Sequence, residues 1–189
     1  MMADTNFQRG VARLAPNNLV LDAHVFHTQL PELIDFVGKY PDTTIIVNHC
    51  GVPMGVGPFS GRQAEVFPYW RAQLRELAKR DNIFIKLGGM KWVDLPVPGH
   101  DSSSQKTTPG SEALAKVWAP YIETCVDLFG AKRCMCESNF PPEKMLLSYA
   151  VLWNTFKRVT AKYSKSERTW LFKDTAATAY RLPQFIGGE

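Results

Sequence analysis

The sequence predicts an α/β fold in which about four parallel strands alternate with helices, and three observations carry that expectation. Apolar runs at 21–27, 44–51, 82–89 and 133–141 each end in polar or glycine-rich residues. Stretches with apolar residues at helical spacing fill 30–40, 63–80, 111–129 and 143–161, and a last one runs over 165–180. The order is strand then helix, four times over, and parallel neighbours need such crossovers because a short hairpin cannot join them. Strands covered on both faces read as continuous apolar runs, and polar residues at their C-terminal ends gather at one mouth, where α/β barrels keep their chemistry.

Taken in order, the first run, Leu-Asp-Ala-His-Val-Phe-His over 21–27, delivers His24 and His27. The second, 44–51, ends Asn48-His49-Cys50-Gly51, so an imidazole stands where the glycine lets the chain turn. The third, 82–89, carries Lys86 and closes on Gly88-Gly89 before the Met90-Lys91-Trp92 loop. Residues 94–110 are rich in Pro, Ser, Thr and Gly and include His100; after a strand end they read as a long loop over the mouth, able to act as a lid. Gly130 stops the 111–129 helix. In the fourth run Glu137 and Asn139 are two residues apart and share a face. Ser164 and Glu167 form a capping box that opens the last helix. Trp92, Trp118 and Trp153 read as core or rim packing.

With 189 residues, 45% of them apolar, the chain is expected to be a single domain with a packed core. No apolar run approaches the roughly 20 residues that span a bilayer, and Asp4, Arg9 and Arg13 interrupt the start, so a cytoplasmic location is expected. Cys50, Cys125, Cys134 and Cys136 include no Cys-x-x-Cys pair and read as reduced, packed thiols. The net charge of +4 is spread over the helices and so says little about nucleic acid; a small-molecule substrate is expected, with no nucleic-acid and no membrane partner.

Five segments then carry a resemblance: His27-Thr28-Gln29-Leu30-Pro31-Glu32-Leu33, the stretch from Tyr40 to Gly51, Ile85-Lys86-Leu87-Gly88-Gly89, Glu137-Ser138-Asn139-Phe140-Pro141, and Leu171-Phe172-Lys173-Asp174-Thr175-Ala176-Ala177. Together, from about Phe7 to Leu182, the chain resembles the amidohydrolase-related (amidohydrolase 2) TIM-barrel hydrolases, which include sugar lactonases and the pyrone dicarboxylate lactonase. The resemblance implies a partial TIM (β/α)8 barrel, since the whole fold has eight units and roughly 250 residues. The four units here correspond to its second half, so 1–189 is expected to be one domain lacking its N-terminal half. The family's first-strand His-x-His pair has no counterpart before Leu21. Residues 4–10 look like the helix preceding a mid-barrel strand, as though the parent sequence continued upstream. An open four-stranded sheet leaves two edges and a concave face unpaired. That suits a homo-oligomer, pairing with a full-length relative, or helices collapsed differently.

The implied activity is hydrolysis of a lactone or similar cyclic ester by an activated water; the alternative is a non-catalytic half-barrel that binds or regulates a full-length relative. His49 is the leading site residue, as general base or metal ligand, against a plain loop hydrogen bond. His27 is placed at the mouth as metal ligand, substrate contact or polar cap. His24, out of phase with His27 on a strand, is assigned packing or surface. Many amidohydrolases place an aspartate where Asn139 stands; an amide cannot be a base but can accept a hydrogen bond. Glu137 is its substitute or a structural ion-pair partner. Lys86 with Gly88-Gly89 would bind a carboxylate or lactone oxygen, or simply make a turn. A divalent cation, Zn or Mn, held by His27 and His49, and no cofactor at all, both remain open.

Overall fold

The structure is a computed structural model that describes residues 1–93 and 109–185. Four strands form one parallel sheet in sequence order, β1 (Leu21–Ala23), β2 (Ile45–Val47), β3 (Ile83–Leu87) and β4 (Cys134–Cys136). Helices α1 (Thr5–Val11), α2 (Leu30–Val37), α3 (Gln63–Ala78), α4 (Ser111–Phe129) and α5 (Tyr149–Val159) precede and connect them, and α6 (Lys165–Thr169), a π turn (Trp170–Asp174) and α7 (Thr175–Ala179) close the described chain. This is a partial barrel: four parallel βα units of an α/β architecture.

Register decides what each face holds. Ala23, Val47, Ile85 and Cys134 lie in one row across the sheet, and Leu21, Ile45 and Ile83 in another. They face a core built with Leu30, Leu33 and Val37 of α2, Trp70, Leu74 and Leu77 of α3, and Ile122, Cys125 and Val126 of α4. The alternate row, Asp22, Ile46 and Phe84, with Lys86 beside Met135, faces the concave side. There only a small cluster forms, Ile46, Met135 and Ala179, flanked by Ala176 and Tyr180 of the C-terminal helix. Burial of β-branched Ile45, Ile46 and Val47 on both faces is what makes β2 a central strand.

The strands are shorter than the apolar runs that announce them, because the chain leaves the sheet at its polar residues. Local chemistry also divides the expected helix over 143–161. Pro141 and Pro142 remove two amide donors, residues Pro142–Met145 form a 3-10 turn, and the Ser148 side chain captures the Val151 amide to start α5 afresh. The Ser164–Glu167 capping box is formed. Cys50, Cys125 and Cys134 are buried free thiols, and burial pushes the Cys125, Cys134 and Cys136 thiols up. Trp118 is core, Trp153 packs on Phe156 and Phe172, and Trp92 lies edge-on to Phe26. The lid expected over 94–110, with His100, lies outside the described residues except for its last two positions.

Candidate active site

All four strands end at one mouth. Past β1 the alternation continues, so His24 follows Asp22 onto the concave side. Its ring meets the His49 ring edge to face, with centroids 5.1 Å apart and planes at 84°. His49 follows β2, and its Nδ1 lies 2.5 Å from Oε1 of Glu137, while its main-chain N–H reaches the same oxygen at 3.3 Å. Glu137 follows β4 and is tied to β3 by its own N–H, which donates to the Leu87 carbonyl at 3.1 Å.

The backbone bends hard to make this contact. His49, Cys50, Gly51 and Val52 have φ of 57°, 54°, 67° and 36°, four consecutive residues in the left-handed region, including a β-branched valine. Neighbours hold the bend. Trp70 Nε1 donates to the Cys50 carbonyl at 2.6 Å, and the Val52 amide to the His49 carbonyl at 2.8 Å. Gly88 and Gly89 make the room. A Cβ on Gly89 (φ 63°) would run into the His49 ring, and one on Gly88 would come within 2.6 Å of Glu137 Cγ. The glycine pair therefore serves the close approach of His49 and Glu137.

Burial, followed by the charge of His49, holds the His24 pKa below the usual 6.5, with Glu137 opposing and Lys91 reinforcing. The ring is neutral at pH 7. Asn139, also left-handed (φ 48°), donates from Nδ2 to Oε1 of Glu143 at 3.1 Å. Burial raises the Glu143 pKa, against the Asn139 hydrogen bond, the Lys91 main chain and charge, and His49. Residues following every strand thus bear on this mouth: His24 and Glu137 contact His49, Lys91 acts by its charge on His24 and Glu143, and Glu143 holds Asn139.

Two expected site residues lie elsewhere. Where His27 was expected at the mouth, its ring is buried edge-on to Phe59 and Tyr69, its Nδ1 accepts the Met54 N–H at 3.2 Å, and burial lowers its pKa. The chain turns into a 3-10 segment at His27–Gln29, so strand phase places His24, not His27, beside His49. Lys86 sits on the concave side, 2.6 Å from Asp22, with its ammonium 5.6 Å from the centre of the Tyr180 ring and the Tyr180 hydroxyl 3.0 Å from Asp22. Burial works against the charged lysine, but Asp22 and Tyr180 outweigh it and raise its pKa. Sequence reasoning set His24 aside and passed over Lys91 and Glu143; the i,i+4 spacing of Asn139 and Glu143 was the available signal for the last.

For a divalent cation, the His49 ring held at Nδ1 by a carboxylate is the usual setting of a metal-bound imidazole. His24 is a second nitrogen donor. Among the described residues, however, no group of three or more His, Cys, Asp or Glu side chains is arranged to hold a metal, and catalytic zinc needs three protein ligands. The described residues do not complete such a site.

The chain belongs to the amidohydrolase family, whose pattern matches residues 2–182. The protein y4mH of Sinorhizobium fredii is 32% identical over 182 residues, covering 93% of this chain and 52% of y4mH. An L-fucono-1,5-lactonase of Burkholderia multivorans is 30% identical over 186 residues, 96% of this chain and 57% of the lactonase. The chain thus spans about half the length of the curated relatives it matches. Among solved structures, an amidohydrolase from Burkholderia multivorans with bound zinc superposes with a TM-score of 0.78 at 28% identity, over 95% of this chain and 58% of that one. A 2-pyrone-4,6-dicarboxylic acid hydrolase from Pseudomonas putida shares the fold, with a TM-score of 0.68 at 18% identity over 95% of this chain and 58% of its own. Among the described residues no helix is long and apolar enough to cross a membrane.

Proposed function

We propose that this member of the amidohydrolase family is a hydrolase that opens a lactone or similar cyclic ester with an activated water. One observation carries the reading, the grip of Glu137 on His49 Nδ1. A carboxylate accepting the Nδ1 proton fixes the tautomer whose Nε2 carries the lone pair, the form a general base requires. Nε2 takes a proton from water as its oxygen bonds to the carbonyl carbon. Glu137 stabilises the resulting imidazolium, much as the aspartate does in a Ser-His-Asp triad. The ring C–O bond then breaks, and the proton held on Nε2 passes to the departing oxygen, giving a hydroxy acid. His24, whose pKa is held below its usual value chiefly by partial desolvation, stays available to hydrogen-bond the water or the carbonyl. Asn139 contacts substrate without acting as a base.

The names of the lactonase relatives support a sugar lactone as substrate. His24 and His49 are the nitrogens that Zn or Mn would use, and no step above passes through a metal. Lys86, paired with Asp22, and His27, enclosed by aromatic rings, take no step.

The test is release of acid from L-fucono-1,5-lactone and other aldonolactones by the purified chain, followed with a pH indicator. The reading predicts turnover that falls about 10²- to 10⁴-fold in His49→Ala, the range general-base catalysis supplies. Turnover unchanged by that substitution contradicts it.

The outer edges of β1 and β4, unpaired in the described sheet, favour a second reading. In it residues 1–189 form half of a barrel domain and bind another copy or a longer relative without catalysis. Size-exclusion chromatography separates the two, because a monomer that turns over lactone removes this reading.

A further inference from the structure

We infer that Glu143 is a positioning residue that holds Asn139 as a hydrogen-bond acceptor at the mouth. The inference rests on the placement of Asn139 in the proposed site. Glu143 grips Asn139 at both ends of that residue: its main-chain N–H donates to the Asn139 carbonyl at 3.0 Å, and its carboxyl oxygen accepts Asn139 Nδ2 at 3.1 Å. The carbonyl of Glu143 in turn accepts the amides of Leu146 and Leu147 at 2.9 and 3.1 Å, so its own position is set by the turn that follows. The side chain is fully buried.

A carboxamide is planar, with one donating and one accepting branch. Once one N–H of Nδ2 is committed to Glu143, the amide plane is fixed with Oδ1 on the branch turned away from that carboxyl. That orientation has a chemical consequence. Oδ1 is thereby suited to receiving a proton donor such as the attacking water or a sugar hydroxyl. The two hydrogen bonds exchanged with Glu143, four positions on, close a tight loop around the left-handed Asn139.

The test is ¹⁵N NMR of the chain labelled at asparagine, with the Asn139 signals identified from Asn139→Asp. In the wild type the two Asn139 side-chain N–H signals are expected to be well dispersed. In Glu143→Leu they should collapse toward solvent values and exchange about tenfold faster, as loss of one ordinary hydrogen bond gives. Unchanged signals in a folded Glu143→Leu overturn the inference. Should Glu143→Leu not fold, reversing donor and acceptor decides. Asn139→Asp alone should lower Tm by opposing two carboxyl groups, and adding Glu143→Gln should restore it by supplying the missing N–H donor. A double variant no more stable than Asn139→Asp overturns the inference. Neither readout requires turnover, so failure of the hydrolase reading would be seen separately.

Discussion

The two faces of the sheet are built on different terms. Toward the helices, Ala23, Ile45, Val47, Ile83, Ile85 and Leu87 are all buried. Toward the concave side, Ile46 and Met135 are buried, while Asp22 is exposed and Phe84 and Lys86 are half-covered. Both sets come from the same few strand residues, separated only by the two-residue period. The contrast teaches that the helix-facing rows hold the fold together. The concave row, packed by little more than Ala176, Ala179 and Tyr180, is free to carry an ion pair and, at its upper end, the His24–His49–Glu137 cluster.

If that division is right, substitutions of similar size should differ sharply by face. Trp70→Ala, on the helix side, removes a fully buried ring and the donor to the Cys50 carbonyl, and should cost about 3–5 kcal/mol in urea unfolding. His24→Ala, on the other side, should cost under about 0.5 kcal/mol, as exposed substitutions do. Equal losses would break the comparison. Gly89→Ala comes next, at about 1–3 kcal/mol for a side chain forced into left-handed backbone against an imidazole. It should also separate His49 from Glu137, whereas a stability unchanged in calorimetry would mean the glycine is not needed.

Tyr180→Phe removes the hydroxyl that reaches Asp22 and should cost about 1 kcal/mol. Hydrogen exchange should speed up in α7 but not in α3, and equal protection in both would deny that Tyr180 latches this helix to the concave side. The smallest effect is one of pH. His27 is lowered by burial, so the folded state prefers the neutral ring. Its contribution is fully present above the unfolded value of 6.5 and is lost as pH falls from 6.5 through the lower folded value. Tm should therefore drop on acidification across that window, and His27→Leu should flatten the drop. A slope identical in both proteins would place the titration elsewhere.

Much of this was legible in the sequence, for reasons that differ by region. Continuous apolar runs and their helical spacers announced four parallel units, because burial imposes those patterns directly. His49 and Glu137 were legible too, since each follows a strand and precedes a turn. The choice between His24 and His27 was not. It depends on where β1 ends and the 3-10 turn begins, a matter of one residue that apolar content does not encode. The role of Gly88-Gly89 was likewise hidden, because the His49 ring and the Glu137 side chain they admit follow β2 and β4, far away in sequence. Lys86 was read as a substrate contact because its partners, Asp22 and Tyr180, lie 64 positions before it and 94 after it. Glu143 was missed because a carboxylate at the start of an expected helix reads as a surface residue.

The most direct measurement is long-range ¹H–¹⁵N correlation of the histidine rings in the wild type and in Glu137→Ala. The account predicts His49 locked with its proton on Nδ1, released to a mixture of tautomers by the substitution, with His24 shifting alongside it and His27 unmoved. A His49 ring already mixed in the wild type, or indifferent to the loss of Glu137, would contradict the pairing on which the proposed chemistry depends.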